Sequence, residues 1–191
     1  MSIMSKLPLL SSLLMGATIV LSPLSTLAEN ELCGAVVEPE ELSGSYELSL
    51  GNALIFGDGK SVPLQDSQTL IVNISIFAGG LIMESEGFAV DLELFGNEDT
   101  REWYWEALGG VVNESSEDYA RIVGCEINKL PRIIGRGMST SSEGMPVNYV
   151  YYFVIEQFDD AESGPTMFGS LTWNSGGIKM VRAVRLVPVG R

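Results

Sequence analysis

The carboxylates between residues 84 and 93 are the side chains whose type and spacing come closest to chemistry. Asp91 and Glu93 stand two positions apart in a stretch with a period of two, so they point to the same side of a strand, about 7 Å apart. A carboxyl pair near that separation can serve as acid and base in glycoside hydrolysis. Glu84 and Glu86 share this spacing. Because acidic residues are mostly exposed, we expect both pairs on a solvated strand face.

The sequence contains no histidine and only two cysteines, Cys33 and Cys125. The ordinary forms of Ser-His-Asp and Cys-His catalysis and of histidine proton shuttles are therefore excluded. Two thiols without histidine cannot complete the usual four-ligand zinc site. The acidic stretches 97–99 and 159–162 lack the glycine and the twelve-residue spacing of a calcium-binding EF-hand loop. We predict no catalytic residue, no metal site and no cofactor.

Two aromatic groups are the best indication of a binding surface, because aromatic side chains concentrate at recognition sites. One group lies beside Gly109-Gly110, and the other occupies a single face of the strongly β-forming segment 147–158. The residues predicted to contact a ligand or a partner are Trp103, Tyr104, Trp105, Tyr149, Tyr151 and Phe153. Two alternatives stay open: the tryptophan group plugs one end of a barrel, and the second group is core.

The elements that must position these side chains are short strands. Apolar residues recur at every second position over 70–76 and again over 88–94, which is the pattern of half-buried antiparallel strands. Similar runs follow every ~8 to 12 residues with glycine at most turns, giving roughly eight to ten strands. We predict an all-β fold: an antiparallel meander that closes into a barrel of about eight strands and so removes exposed edges. A β-sandwich is the alternative.

Two early segments have specific assignments. Gly51-Asn52 predicts a tight turn between a strand over 43–50 and a returning strand over 53–56. Pro63 lacks a backbone N–H, so the segment 60–67 is predicted to be a loop or an edge strand.

Three later segments surround the second cysteine. Asp99 as N-cap with Glu102 three residues on predicts one short helix near 99–108. The alternative for 103–108 is a strand with both tryptophans on one side. The polar residues 113–118 predict a loop, and 119–128 reads as a strand that carries Cys125.

The first 28 residues have the features of a secretory signal peptide: Lys6, the apolar run 7–21 and the small-residue ending 26–28. That run is shorter than the ~20 residues of a membrane-spanning helix, so we favour cleavage over a retained anchor. Residues 30–32 are not the small residues that precede a lipidated cysteine. We expect residues 29–191 to form a single exported domain, periplasmic or extracellular.

Export predicts that Cys33 and Cys125 are bridged, because an even pair of cysteines in an oxidising compartment is usually oxidised. The bridge would close a loop of about 90 residues, which the chain-entropy description values at roughly 4 to 5 kcal/mol. We therefore interpret the two cysteines as a structural disulfide.

The chain carries 25 acidic and 11 basic residues, a formal net charge of −14 at pH 7. Nucleic-acid affinity depends on Lys and Arg that neutralise phosphates. The negative electrostatic field of this protein repels phosphates, and it repels anionic lipid surfaces for the same reason. We predict no nucleic-acid partner, and no membrane association after signal cleavage. Strong acidity of this kind favours solubility.

The acidic lead-in followed by Gly44-Ser45-Tyr46 at the start of the first strand resembles the opening of calycin-type, lipocalin-like barrels. Their pattern has Gly-x-Trp at this point, where this chain has tyrosine, and a basic residue near the last strand that packs over the ring. Arg182 or Arg185 would be that residue. The resemblance covers a few positions at each end of the chain, and it implies a barrel that binds a small molecule.

These observations favour a non-enzymatic, exported barrel that binds a small apolar ligand or a protein partner. A structural or envelope-interaction module is the first alternative. A carboxylate-based hydrolase or isomerase is the second, and it requires an Asp or Glu with a raised pKa inside a cavity.

Overall fold

The computed structural model describes residues 32–96, 105–108, 111–158 and 164–190. The predicted signal peptide lies outside these residues. Nine strands are described: β1 (Gly44–Gly57), β2 (Lys60–Leu64), β3 (Gln68–Phe77), β4 (Gly80–Ser85), β5 (Phe88–Phe95), β6 (Arg132–Thr140), β7 (Pro146–Phe158), β8 (Pro165–Ser175) and β9 (Ile178–Pro188). One α-helix, α1 (Ser116–Val123), and two 3-10 turns, Pro39–Leu42 and Ile127–Lys129, complete the described elements.

Eight of the strands form a closed antiparallel barrel. Each strand from β3 to β9 pairs with its neighbour in sequence, and β1 pairs with β3 on one side and β9 on the other, which closes the ring. The ninth strand, β2, lies outside the ring and pairs only with the second half of β1. The predicted all-β barrel is therefore confirmed, since successive hairpins bring sequence neighbours together and the closing pair removes the edges.

Strand β1 continues through the predicted turn at Gly51-Asn52. Its register with β9 shifts between Leu50 and Ala53, so Gly51 and Asn52 form an irregularity within one 14-residue strand. The hairpin prediction is wrong here because β9 offers partners on both sides of the shift, and a bulge accommodates the extra residues without ending the strand. The predicted edge character of 60–67 is confirmed, because every residue of β2 is exposed.

The helix α1 occupies part of the chain that was predicted to be a loop and a strand. The Ser115 hydroxyl accepts a hydrogen bond from the Asp118 backbone N–H at 3.1 Å, and the Asp118 carboxylate accepts one from the Ser115 N–H at 3.1 Å. This reciprocal capping starts the helix, and Gly124 in the left-handed conformation ends it. The strand prediction for 119–128 is wrong for this reason, and Cys125 follows a helix.

The short helix predicted near 99–108 falls mainly on residues outside the described ranges. The described part, 105–108, is not helical, and Leu108 forms an isolated bridge with Val112. Within the described ranges no helix is long and apolar enough to cross a bilayer.

The predicted disulfide is confirmed. Cys33 and Cys125 are bonded, with their Cα atoms 5.7 Å apart and a separation of 92 positions in sequence. The bond ties the lead-in to the segment that follows α1, and the Gly34 N–H reinforces this link by donating to the Lys129 carbonyl at 2.8 Å.

The barrel interior is densely packed at the end where β1 begins, which we call the closed end. The interior side chains there are almost completely buried: Tyr46, Val72, Met83, Phe153, Ile155, Met167 and Leu186. The 3-10 turn Pro39–Leu42 contributes buried Leu42, whose carbonyl accepts a hydrogen bond from the Tyr46 hydroxyl at 3.0 Å. The opposite end of the ring, where β1 reaches Leu50, is called the mouth.

The barrel is compatible with a calycin-like fold, but its arginines are not placed as that resemblance implies. Tyr46 pairs with Pro188, whereas Arg182 pairs with Ala53, so Tyr46 and Arg182 lie toward opposite ends of the ring. Arg182 lies six positions before Pro188 on β9, which is roughly 20 Å along a strand. Arg185 points to the outer face, where it forms an ion pair with Glu156 at 2.9 Å. Neither arginine therefore packs over the Tyr46 ring.

Candidate ligand-binding mouth of the barrel

A cavity of about 350 Å³ opens inside the barrel at the mouth. Six apolar side chains from five strands form most of its wall: Leu48, Leu50, Leu70, Phe88, Leu171 and Met180. They meet because inward-facing positions alternate along each strand and the register aligns them, as where Leu48 of β1 stands opposite Leu70 of β3. Leu50, Leu70 and Phe88 are only half-buried, in contrast to the packed closed end.

Aromatic residues of β7 and β8 form a second part of the wall, which Gln68 of β3 and Arg182 of β9 complete. Tyr149 and Trp173 are paired across the two strands and half-buried at the opening. Tyr151 lies one inward position deeper and is buried, and its ring stacks on Phe153 with centroids 5.7 Å apart. Burial, reinforced by Tyr149 and opposed by Arg182, raises the pKa of the Tyr151 hydroxyl, which therefore stays protonated as a hydrogen-bond donor.

Among the described residues that line this apolar cavity, Arg182 is the one cation, and it is only 4% exposed. Its Nη2 lies 3.8 Å from the Sδ of Met180, and within the described ranges its Nε has no hydrogen-bond partner. Burial lowers the pKa of the guanidinium, while Asp66 and Tyr151 oppose that shift. An arginine remains charged at any physiological pH, so the mouth contains a buried positive charge.

The structure brings together three of the six predicted contact residues. Tyr149 and Tyr151 line the cavity, and Phe153 lies beneath Tyr151 with 1% of its surface exposed, as part of the packed interior. Trp103 and Tyr104 lie outside the described residues. Trp105 is separate from all three, because it packs on the outer face of the barrel.

Trp105 belongs to a second, outer groove. Its ring meets Phe168 edge-on at 5.9 Å, and its indole N–H donates to the Glu114 carbonyl at 2.8 Å. The groove, of about 750 Å³, lies between the segment 105–108 and the outward-facing side chains of β7, β8 and β9. For Trp105 the predicted alternative of a plug in one end of the barrel is therefore wrong.

The two predicted carboxylate pairs are solvated, as expected, but Glu86 lies in the turn between β4 and β5 and does not share a strand face with Glu84. Asp91, Glu84 and Glu86 are exposed. Glu93 is 44% exposed and forms an ion pair with Arg136 at 3.2 Å. Across the described ranges there is no group of three or more Cys, Asp and Glu that could hold a metal ion.

Glu156 was not predicted as a site residue from the sequence, and its side chain is 23% exposed on the outer face of β7. Burial raises its pKa, and the adjacent Arg185 opposes the shift. Tyr119 of α1 lies close enough that Glu156 adds to the burial that raises the pKa of this phenol. Glu156 lines neither the mouth nor the outer groove, so this half-buried carboxyl does not supply an acid or base to a cavity.

From the sequence, Arg182 was predicted only as a candidate for the basic residue that the calycin-type resemblance implies. A local signal for its true position was present: Met180, Arg182, Val184 and Leu186 alternate on one face of the last strand. A charged residue within that apolar series marks an interior position occupied by a cation.

The chain matches no known protein family, no curated protein and no solved structure.

Proposed function

We propose that the exported barrel binds a small apolar ligand in its mouth. The observation that carries this proposal is the contrast inside one barrel: the closed end is filled by fully buried side chains, while the mouth retains a cavity of about 350 Å³ with mainly apolar and aromatic walls. Small-molecule sites are typically concave, apolar and ~300 to 1,000 Å³ in volume, with few polar groups.

The half-buried apolar side chains at the mouth supply the driving force. Leu50, Leu70 and Phe88 keep part of their surface in contact with solvent. Removing apolar surface from water stabilises a complex by roughly 25 cal/mol per Å², less the cost of immobilising the ligand. Tyr149 and Trp173 at the opening add aromatic surface with few rotatable bonds.

The carboxylate-enzyme alternative has no support at this site. The described lining of the mouth contains no Asp or Glu. The binding proposal needs no reacting group, and the cavity is sufficient for it.

A protein partner and a structural or envelope-interaction role are the remaining proposals, and both would use the outer surface of the barrel. The cavity favours the small-ligand version because its walls face inward, out of reach of a globular partner. Cross-linking in cells separates the two versions, since a reproducible protein partner would support the outer-surface roles.

A titration of the mature protein with 1-decanol, followed by isothermal calorimetry, tests the small-ligand proposal. We expect saturable binding at one site and a higher melting temperature in the presence of the alcohol. Native mass spectrometry of gently purified protein provides an independent readout, namely a retained small molecule. Absence of binding to 1-decanol and to a panel of other apolar compounds would overturn the proposal.

Two neighbouring residues provide matched variants. Leu70 faces the mouth, whereas Ile71 is exposed on the outer face of the same strand. Leu70→Asp should weaken 1-decanol binding by about tenfold or more, and Ile71→Asp should leave it within about twofold. Equal effects of the two substitutions would place the ligand elsewhere. Leu70→Ala is the substitute if Leu70→Asp does not fold.

A further inference from the structure

Arg182 is a buried cation for which the described chain provides no carboxylate at ion-pair distance. Its Nη2 donates to the Met180 sulfur at 3.8 Å, which is a weak acceptor, and its Nε has no acceptor in the described ranges. Burying a charge without a partner is unfavourable by several kcal/mol, so such groups are rare in proteins without a function.

The neighbouring arginine shows that the fold can supply a partner. Arg185, three residues further along β9 on the outer face, is half-exposed and still meets the Glu156 carboxylate at 2.9 Å. The acid with the largest influence on Arg182 is Asp66, whose carboxylate instead accepts a hydrogen bond from the Gln68 side chain at 2.9 Å. The charge that faces the cavity is thus the less well compensated of the two.

The surroundings of Arg182 define the chemistry that it would accept. Tyr151, Leu171 and Arg182 stand side by side in register across β7, β8 and β9, so a phenol hydroxyl and a guanidinium share one wall of the cavity. Across the ring, Leu70 of β3 and Phe88 of β5 form an apolar wall, and Leu48 and Leu50 of β1 extend it on the side next to β9. A ligand that satisfies both walls has one anionic group and one apolar chain.

We propose that the ligand of the mouth is an amphipathic monocarboxylate whose carboxylate accepts hydrogen bonds from Arg182 and whose hydrocarbon chain lies against the apolar wall. This inference rests on the proposed function and names the class of ligand. The planar guanidinium matches a carboxylate in a two-bond arrangement. A single cation within a strongly acidic protein favours a monoanion over a polyanion, because the overall field repels higher charge.

The cavity volume sets the ligand length. A volume of about 350 Å³, at roughly 30 Å³ for each water-sized group, accommodates on the order of ten heavy atoms. A ten-carbon chain is therefore a suitable probe, with some of it extending through the opening.

The test compares three ten-carbon probes on the mature protein: decanoate, 1-decanol and decyltrimethylammonium. We expect decanoate to bind about tenfold or more tighter than 1-decanol, because its carboxylate forms an ion pair and two hydrogen bonds with the guanidinium, whereas a neutral hydroxyl accepts only one. Decyltrimethylammonium should bind least, because its positive charge would face Arg182. Equal affinities for decanoate and 1-decanol would overturn the inference while leaving the proposed function intact. Failure of all three to bind would overturn both.

Two arginine variants attribute the preference to Arg182. Arg182→Met should bind decanoate and 1-decanol equally, whereas Arg185→Met, which removes a charge from the outer face of the same strand, should retain the preference. The ligand-free Arg182→Met protein should melt at or above the wild-type temperature, because an uncompensated buried charge is replaced by an apolar side chain. A decanoate preference that persists in Arg182→Met would contradict the inference. Arg182→Gln serves as the second variant if Arg182→Met does not fold.

Discussion

The two ends of this barrel are built from the same strands with the same alternation, yet they differ in packing. On β9, Leu186 at the closed end is fully buried and Met180 at the mouth is partly exposed. On β7, Ile155 is fully buried and Tyr149 is half-buried. The difference shows that the inward pattern of a strand does not by itself fill a barrel. At the closed end, segments outside the sheet contribute the remaining contacts.

The two ends also differ in whether their buried polar side chains have hydrogen-bond partners. At the closed end the Tyr46 hydroxyl donates to the Leu42 carbonyl, and burial raises the pKa of this phenol to about 12. The mouth has the opposite arrangement, because the Arg182 guanidinium is buried without a carboxylate at ion-pair distance in the described ranges. A satisfied polar group suits a structural end, and an unsatisfied cation suits an end that receives a ligand.

The largest effect should come from the disulfide. Replacing Cys33 and Cys125 with serine should lower the free energy of unfolding by roughly 4 kcal/mol, because the bond closes a long loop in the unfolded chain. Urea denaturation measures the loss, and wild-type protein in reducing agent is the control. If the variant remains folded, its affinity for 1-decanol should stay within about twofold of the wild type. A large loss of affinity would mean that the two ends are coupled.

A pair of leucine truncations tests the packing contrast directly. Leu186→Ala at the closed end should cost about 3 kcal/mol, because it leaves a cavity in a fully buried site. Leu70→Ala at the mouth should cost about 1 kcal/mol, because that side chain is already partly solvated. Chemical denaturation of both variants gives the comparison. Equal losses would show that the mouth is as tightly packed as the closed end.

The Tyr46 hydrogen bond should have a smaller effect. Tyr46→Phe keeps the ring and removes the donor to the Leu42 carbonyl, so the free energy of unfolding should fall by about 1 kcal/mol. Tyr149→Phe at the mouth, where no such bond is described, is the matched control and should change stability by less than half as much. A neutral result for Tyr46→Phe would mean that solvent replaces the lost donor.

The smallest effect is a pH dependence on the outer face, away from both ends. Burial raises the folded-state pKa of Glu156 above its ordinary value of 4.5. The folded protein therefore favours the protonated carboxyl of Glu156. The contribution of this carboxyl to stability is fully present below the unfolded-state pKa and is lost as the pH rises through the folded-state pKa. Glu156→Gln should gain stability relative to wild type as the pH rises from about 4 to 7. Thermal denaturation across that range measures the difference, and an unchanged difference would contradict the raised pKa.

Local sequence was sufficient for most of the barrel but not for α1. Alternation predicts which strand face is buried, and short turns predict antiparallel neighbours, so both survive into the tertiary structure. Residues 119–128 also contain alternating apolar positions, but Ser115 and Asp118 cap a helix there, and its eight residues are too few to establish a 3.6-residue period. The bulge near Gly51 was missed because only β9 shows that the strand continues.

The aromatic residues show that a shared residue type is a poor guide to which side chains meet at one site. The sequence placed Trp105 and Tyr151 in one predicted contact set. The fold separates them, because Tyr151 faces the barrel interior while Trp105 packs on the outer face against Phe168. The path of the connection between β5 and β6 decides this separation, and a long connection has no local periodicity from which its path could be predicted.

The sequence by itself determined the alternating strands, the hairpin pairing of neighbouring strands from β3 to β5 and the disulfide-forming pair, because these depend on residue type and on spacing along the chain. Only the tertiary structure decided which end of the barrel is filled and which charge has a partner. Arg182 can be assigned to the inward face of β9 from its neighbours Met180 and Val184. Its lack of a carboxylate depends on side chains from other strands and loops, which local pattern does not specify.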